Sequence, residues 1–134
     1  MNAAIPDFGK HYTAIGQSLV DILPEDFQEA WAKVEMEDNV WGLEVFYLKK
    51  NGRYGYLNDG LNKLLKEFVN LENAYQKSEL GFWTTATFYL TAAGKMTLDL
   101  GYEDVSDYDS IPTRRDAWIK KYLGDASLID WPKP

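Results

Sequence analysis

Apolar side chains recur every three or four residues in three stretches of the chain, a spacing that gathers them on one face of a helix. The first predicted helix covers 7–23 and ends before Pro24, and the second covers 61–77, which no glycine or proline interrupts. A third helix is expected between Pro112, which suits a first turn, and Gly124, which suits the position after a helix end. The inward face of this third helix is expected to consist of Ile111, Trp118 and Tyr122.

The first strand is predicted from an alternation of apolar and polar residues, the pattern of a strand with one buried face. Over 30–37 the apolar residues take every second position. Trp31, Lys33, Glu35 and Glu37 fall on the other face. We therefore expect that second face to be exposed and mostly acidic.

Two hairpins are predicted from paired β-prone runs. The runs 43–50 and 53–57 are separated by Asn51-Gly52, a dipeptide that accepts the positive φ angles of a two-residue turn. The runs 82–91 and 95–103 are separated by two alanines and a glycine, which suit a tight connection.

The predicted order of elements is α-β-β-β-α-β-β-α, which indicates the α+β class. We expect an antiparallel sheet of about five strands with the three helices packed on one face. Asp109 or Ser110 is expected to cap the third helix. Because 134 residues is close to the commonest size of one domain, residues 1–134 are expected to form a single domain.

The composition narrows the range of functions. The chain has 21 acidic and 14 basic residues, and its net charge of −7 argues against direct nucleic-acid binding. It has no cysteine and one histidine, His11, which excludes disulfides, thiolate or multi-histidine metal sites and a cysteine nucleophile. No catalytic residue, metal or cofactor is therefore expected. Because the chain has neither a basic leader nor a long apolar run, we expect a cytoplasmic protein without membrane contact.

The first candidate site is a run of acids between the second hairpin and the third helix. Its spacing matches neither a calcium loop nor the carboxylate pair of a glycoside hydrolase, which favours a solvated loop or a partner-binding surface. Tyr108 lies within the run, where it suits a partner rich in lysine and arginine. The alternative is that Tyr108 and Tyr102 pack the loop against the third helix. The acids are Asp99, Glu103, Asp104, Asp107 and Asp109.

Charged residues also group on the first predicted strand and on the third predicted helix. Trp31 shares a strand face with Glu35 and Glu37, so we expect it to be exposed among acids, as in a second partner-binding surface. The alternative is an ordinary exposed sheet face. On the helix, cations are expected on the outer face, where they complement the dipole. They are Arg114, Arg115, Lys120 and Lys121.

The C-terminal half carries a distinctive combination of residues, namely Trp83, Phe88, Leu90, 94–96, Asp99, 102–104, Arg115, Trp118 and 121–124. A looser set in the N-terminal half comprises Tyr12, Ile15, Leu19, 22–25 and 44–47. Through these residues the chain resembles the YezG-like immunity and antitoxin family over nearly its full length. The resemblance agrees with the predicted order of helices and strands.

The resemblance implies binding rather than catalysis. Members of the family are associated with toxins whose C-terminal domains are often nucleases, and they neutralise the toxin inside the producing cell. The expected partner is therefore a cognate toxin domain with a basic nuclease groove, which an acidic protein can occlude. A non-inhibitory adaptor for secretion of the toxin is the alternative, and an acid-dependent hydrolase is a more distant one.

Overall fold

The structure, a computed structural model, describes residues 8–38, 40–77 and 83–132. Within them the predicted α+β class and order of elements are confirmed, and a sixth strand follows the third helix. No helix in these ranges is long and apolar enough to cross a membrane. In chain order the elements are α1 (Phe8–Ile22), β1 (Glu29–Glu37), β2 (Val40–Leu48), β3 (Tyr54–Leu57), α2 (Asn62–Lys77), β4 (Thr85–Thr91), β5 (Met96–Gly101), α3 (Ile111–Tyr122) and β6 (Ile129–Asp130).

The six strands form one mixed sheet in the order β5-β4-β1-β2-β3-β6. Five of them pair antiparallel as predicted, and β6 joins the edge parallel to β3. Asp130 holds β6 there by accepting hydrogen bonds from Lys49 (2.9 Å) and Arg53 (2.7 Å). A strand of two residues is too short to show alternation, so the sequence pattern indicates about five strands rather than six.

The turn between β2 and β3 has three residues rather than the predicted two. The amide of Lys49 donates to the carbonyl of Arg53, which leaves 50–52 as the connection. Gly52 has a φ of 83°, whereas Asn51 has a negative φ and accepts a hydrogen bond from the Arg53 amide. A type I turn followed by a glycine bulge has this arrangement.

The sheet has a hydrophobic core on each face. α1 and α2 cover one face, where Ile15 and Phe68 are fully buried. α3 covers the other face, where Trp31 and Phe46 pack in one cluster with Ile119. The prediction that all three helices lie on one face is therefore wrong.

The predicted exposure of Trp31 is wrong because α3 covers its face of the sheet. Its side chain is 6% exposed, and its ring centroid lies 5.8 Å from that of Tyr54 and 5.5 Å from that of Tyr89. This face carries aromatic residues where β1 begins and charged residues toward its end. Since the aromatic half must be buried, a helix packs there, and alternation within β1 alone does not reveal this.

The inward face of α3 differs in part from the predicted one. Trp118 and Tyr122 pack against the second core as predicted, together with Ile119 and Leu123. Ile111, which was expected to be inward, is 37% exposed. It precedes the part of the helix that crosses the aromatic residues of the sheet, so its side chain stays outside that core.

Glu72 of α2 is a buried acid whose charge affects stability. Its side chain is 3% exposed, and one carboxylate oxygen accepts a hydrogen bond from Gln76 at 3.0 Å. The other oxygen has no partner in the described parts of the chain. Burial raises the pKa of Glu72, although the hydrogen bond from Gln76 lowers it in part. Stability therefore falls as the pH rises from the unfolded pKa through the folded one.

We expect Glu72→Gln to raise the Tm at neutral pH by about 3 °C, which corresponds to ~1 kcal/mol at this chain length. The gain should disappear below about pH 4, where the wild-type carboxyl is protonated in both states. A series of thermal melts across this range measures it. An equal gain at both ends of the series would show that the charge of Glu72 is not the cause.

Candidate functional site

Six acidic residues gather at one end of the sheet, where β1 ends and the β5–α3 loop begins. Partial burial, and then the charges of Asp38 and Asp104, raise the pKa of Glu37. These three residues line one cavity of about 310 Å³. We call the whole group the acidic end, and it consists of Glu37, Asp38, Glu103, Asp104, Asp107 and Asp109.

The β5–α3 loop is held in one conformation by its own side chains. Asp104 accepts a hydrogen bond from the amide of Ser106 at 2.9 Å. Asp107 accepts from the amide of Asp109 (3.0 Å) and the hydroxyl of Ser110 (2.7 Å). These hydrogen bonds hold the pKa of both carboxyls below their usual range. Asp107 thus caps the short 3₁₀ turn before α3. Ser110 occupies the N-cap position of α3, as predicted, but its side chain makes no capping hydrogen bond there.

Arg114 joins this loop to the sheet. Its guanidinium makes a bidentate ion pair with Glu35 of β1 (2.9 and 3.0 Å). It also donates to the carbonyls of Asp107 (2.8 Å) and of the buried Val105 (3.4 Å). Burial alone would raise the pKa of Glu35, but the hydrogen bonds of Arg114 and the charges of Lys33 and Arg114 hold it below its usual range. One side chain therefore fixes the loop relative to the end of β1.

The structure places Glu103, Tyr108 and Asp109 at the surface of the acidic end. Within the described residues, the carboxylates of Glu103 and Asp109 accept no hydrogen bond and form no ion pair. Tyr102 and Tyr108 are both more than half exposed, and the hydroxyl of Tyr102 lies 3.4 Å from that of Tyr75 on α2. Tyr102 therefore reaches toward α2, whereas Tyr108 lies beside the start of α3 and keeps more than half of its surface exposed.

The candidate site predicted on β1 separates into two environments. Trp31 lies in the second core, and Glu35 is paired with Arg114 beneath the loop. The alternation in β1 predicts that both side chains are exposed to a partner, and neither of them is. Glu37, at the end of the same strand, belongs to the acidic end and stays a candidate.

The prediction that the cations of α3 lie on its outer face holds only for Lys120 and Lys121 in the last turn. Arg115 contacts the sheet as Arg114 does, and it pairs with Glu44 of β2 at 2.5 Å. The sequence holds a signal for this arrangement. Both arginines lie in the N-terminal half of the helix, where the positive end of the helix dipole repels a cation. An arginine at such a position is therefore expected to pair with an acidic side chain.

Asp99 lies beside α3, where it lines one cavity together with Glu103 of the acidic end. It is on β5, where its carboxylate accepts a hydrogen bond from Tyr122 of α3 at 3.0 Å. His11 is on α1, in the helix layer of the opposite face. In the parts of the chain that the structure describes, no three histidine, cysteine or acidic side chains are arranged to hold a metal ion. The hydrogen bond between Asp99 and Tyr122 therefore joins β5 to α3 and helps to position that helix.

Comparison with known proteins adds a family assignment to this geometry. Residues 53–127 match the family described as immunity protein YezG-like, as the resemblance predicts. The matched segment runs from β3 to α3 and includes four of the six residues of the acidic end. A search of curated proteins gave no match. Because the match covers more than half of the chain, the protein belongs to the YezG-like family of immunity proteins.

Proposed function

We propose that this immunity protein binds and neutralises a cognate toxin whose active domain is a basic nuclease, in the cytoplasm of the cell that makes both. The observation that carries the proposal is the acidic end, with its exposed Glu103 and Asp109. A nuclease presents cations to the phosphates of its substrate, and fixed carboxylates are complementary to such a surface. Inhibition would then come from occlusion, without catalysis by the immunity protein.

The order within the loop supports tight binding. The hydrogen bonds of Asp104, Asp107 and Arg114 fix the backbone before a partner arrives, so little conformational entropy is lost on association. The carboxylates of Glu103 and Asp109 make no hydrogen bond or ion pair in the described residues, and Tyr108 adds exposed aromatic surface in the same loop. Acidic and aromatic side chains together suit a partner surface rich in lysine and arginine.

The partner for the test is a cognate toxin domain, to be sought among the genes that neighbour this one. We expect the two proteins to copurify and the nuclease activity to disappear as one equivalent of the immunity protein is added. A complex that leaves the nuclease fully active would favour the adaptor alternative. Failure of the two purified proteins to associate would reject the proposal.

Charge is expected to set the rate of association. We expect the association rate constant to fall at least roughly tenfold between about 0.1 and 0.5 M NaCl, because the Debye length shrinks from about 10 Å toward roughly 4 Å. Stopped-flow measurements with the purified toxin domain provide this rate. A rate constant that does not change with salt would rule out electrostatic steering by the acidic end.

A further inference from the structure

An apolar groove lies beside the acidic end, between the β1–β2 turn and the start of α3. Its volume is about 340 Å³. Val105 is buried within its lining and Trp41 is half-buried, whereas most of the other apolar side chains are exposed. We call it the apolar groove, and its apolar side chains are Met36, Val40, Trp41, Val105, Tyr108 and Ile111.

Three residues of the apolar groove have large apolar side chains that are exposed to solvent. Val40 is 55%, Tyr108 54% and Ile111 37% exposed. They are half of the six large apolar residues that are exposed in the described parts of the chain. Apolar surface in water costs free energy that a covering partner recovers, so this concentration marks a contact site.

The charges available at the apolar groove are negative. Glu37 lines it, and Asp107 and Asp109 flank Tyr108 in the loop. Arg114 also lines it, but its guanidinium is already engaged by Glu35 and by two loop carbonyls. A ligand with a positive charge beside its apolar group is therefore complementary, and a negative one is repelled.

We propose that the apolar groove binds one large apolar or aromatic side chain of the toxin, on a segment whose neighbouring residues are lysine or arginine. This inference rests on the proposed function and adds to it a buried anchor of the kind that dominates binding energy. A second copy of this chain is not a suitable occupant. It would bring two acidic ends together in a protein of net charge −7.

Val40→Glu and Ile111→Glu test the proposal because packing and charge predict opposite results. Each variant adds a carboxylate at an exposed position and makes this end of the molecule more acidic. Val40 lies opposite Glu37 in the β1–β2 pair, so Ile111→Glu, on α3, is the variant with the smaller expected effect on stability. If only charge matters, affinity for the basic toxin domain stays the same or increases. If the groove is an anchor, Kd rises roughly 30-fold, because the new carboxylate resists desolvation by an apolar side chain.

Val20→Glu is the matched control. Val20 is exposed to a similar degree, but it lies on α1, which covers the opposite face of the sheet. The same substitution there adds the same charge away from the groove. Calorimetric titration with the cognate toxin domain gives the Kd of each variant, and thermal melts confirm that each one folds.

The results separate the groove from the proposed function. Weaker binding by both groove variants, with Val20→Glu at wild-type affinity, supports the anchor. If both groove variants bind with wild-type affinity while replacement of Glu103 and Asp109 with lysine weakens binding, the apolar groove is not an anchor. The proposed function is then still supported. No binding by the wild-type protein overturns both.

Discussion

Replacing Arg114 with methionine is expected to lower the free energy of unfolding by about 3 kcal/mol. Methionine keeps an apolar stem of similar length, but it removes the bidentate partner of Glu35, whose side chain is 16% exposed. It also removes the donor to the carbonyls of Val105 and Asp107. Glu35 then keeps only the longer contact with Lys33 at 3.9 Å and accepts no hydrogen bond from that side chain, whereas a carboxylate this little exposed needs such bonds to offset its loss of water. Urea denaturation at neutral pH measures the loss.

Arg115→Met is the matched control, one residue along the same helix. Its partner Glu44 keeps the hydrogen bond from Tyr56 and lies 3.6 Å from Lys33, so the remaining carboxylate is not isolated. Arg115 is also more exposed than Arg114. We expect a loss of about 1 kcal/mol or less. Equal losses in the two variants would contradict a special role for Arg114.

The pH dependence of stability gives an independent check on Arg114. Because Arg114 helps to hold the pKa of Glu35 below its usual range, their interaction stabilises the protein above the unfolded pKa. That contribution is lost as the pH falls through the folded pKa. The difference in stability between the wild type and Arg114→Met should therefore narrow on acidification. A difference that stays constant down to about pH 3 would show that another interaction of Arg114 is responsible.

Replacing both Glu103 and Asp109 with lysine is expected to raise the Kd for the toxin domain about 100-fold, or ~2.7 kcal/mol. Both side chains are exposed, and their carboxylates make no hydrogen bond or ion pair in the described residues, so stability should change by only a few tenths of a kcal/mol. Asp104 and Asp107 are less suitable for this test, because their carboxylates organise the loop. Calorimetric titration measures the change in Kd.

A double replacement of Glu25 and Asp26 with lysine is the matched control. It changes the net charge by the same amount, and both residues are exposed near the start of β1, at the other end of the sheet. Only long-range attraction is lost there, so we expect less than about a tenfold change in Kd. If the two double variants weaken binding equally, net charge rather than the acidic end determines affinity.

The helices follow closely from the sequence because their signals are local. The stretch 61–77 is observed as Asn62–Lys77, and 7–23 as Phe8–Ile22. The layering of the fold is not local. Whether a helix covers the Trp31 face depends on Phe46 of β2 and Tyr89 of β4, which only the folded sheet brings beside Trp31. The alternation within β1 therefore distinguishes the two faces of the strand, but it does not show that helices cover both of them.

The candidate site was predictable in position but not in its internal order. Residues 103–109 contain four acids and one aliphatic residue, Val105, so the loop can bury little more than that side chain, and exposure of Glu103 and Asp109 follows from composition. The residue that fixes the loop does not follow in the same way. Arg114 pairs with Glu35, 79 positions earlier in the chain, and no local pattern records that contact.

Hydrogen exchange of the protein alone and bound to the toxin domain is the most direct test of the acidic end as the binding surface. We predict slower exchange on binding at the β1–β2 turn, in the β5–α3 loop and in the first turn of α3. The segment 25–28 and the β4–β5 turn, at the other end of the sheet, should exchange as in the free protein. Protection at those two segments with the β5–α3 loop unchanged would contradict binding through the acidic end.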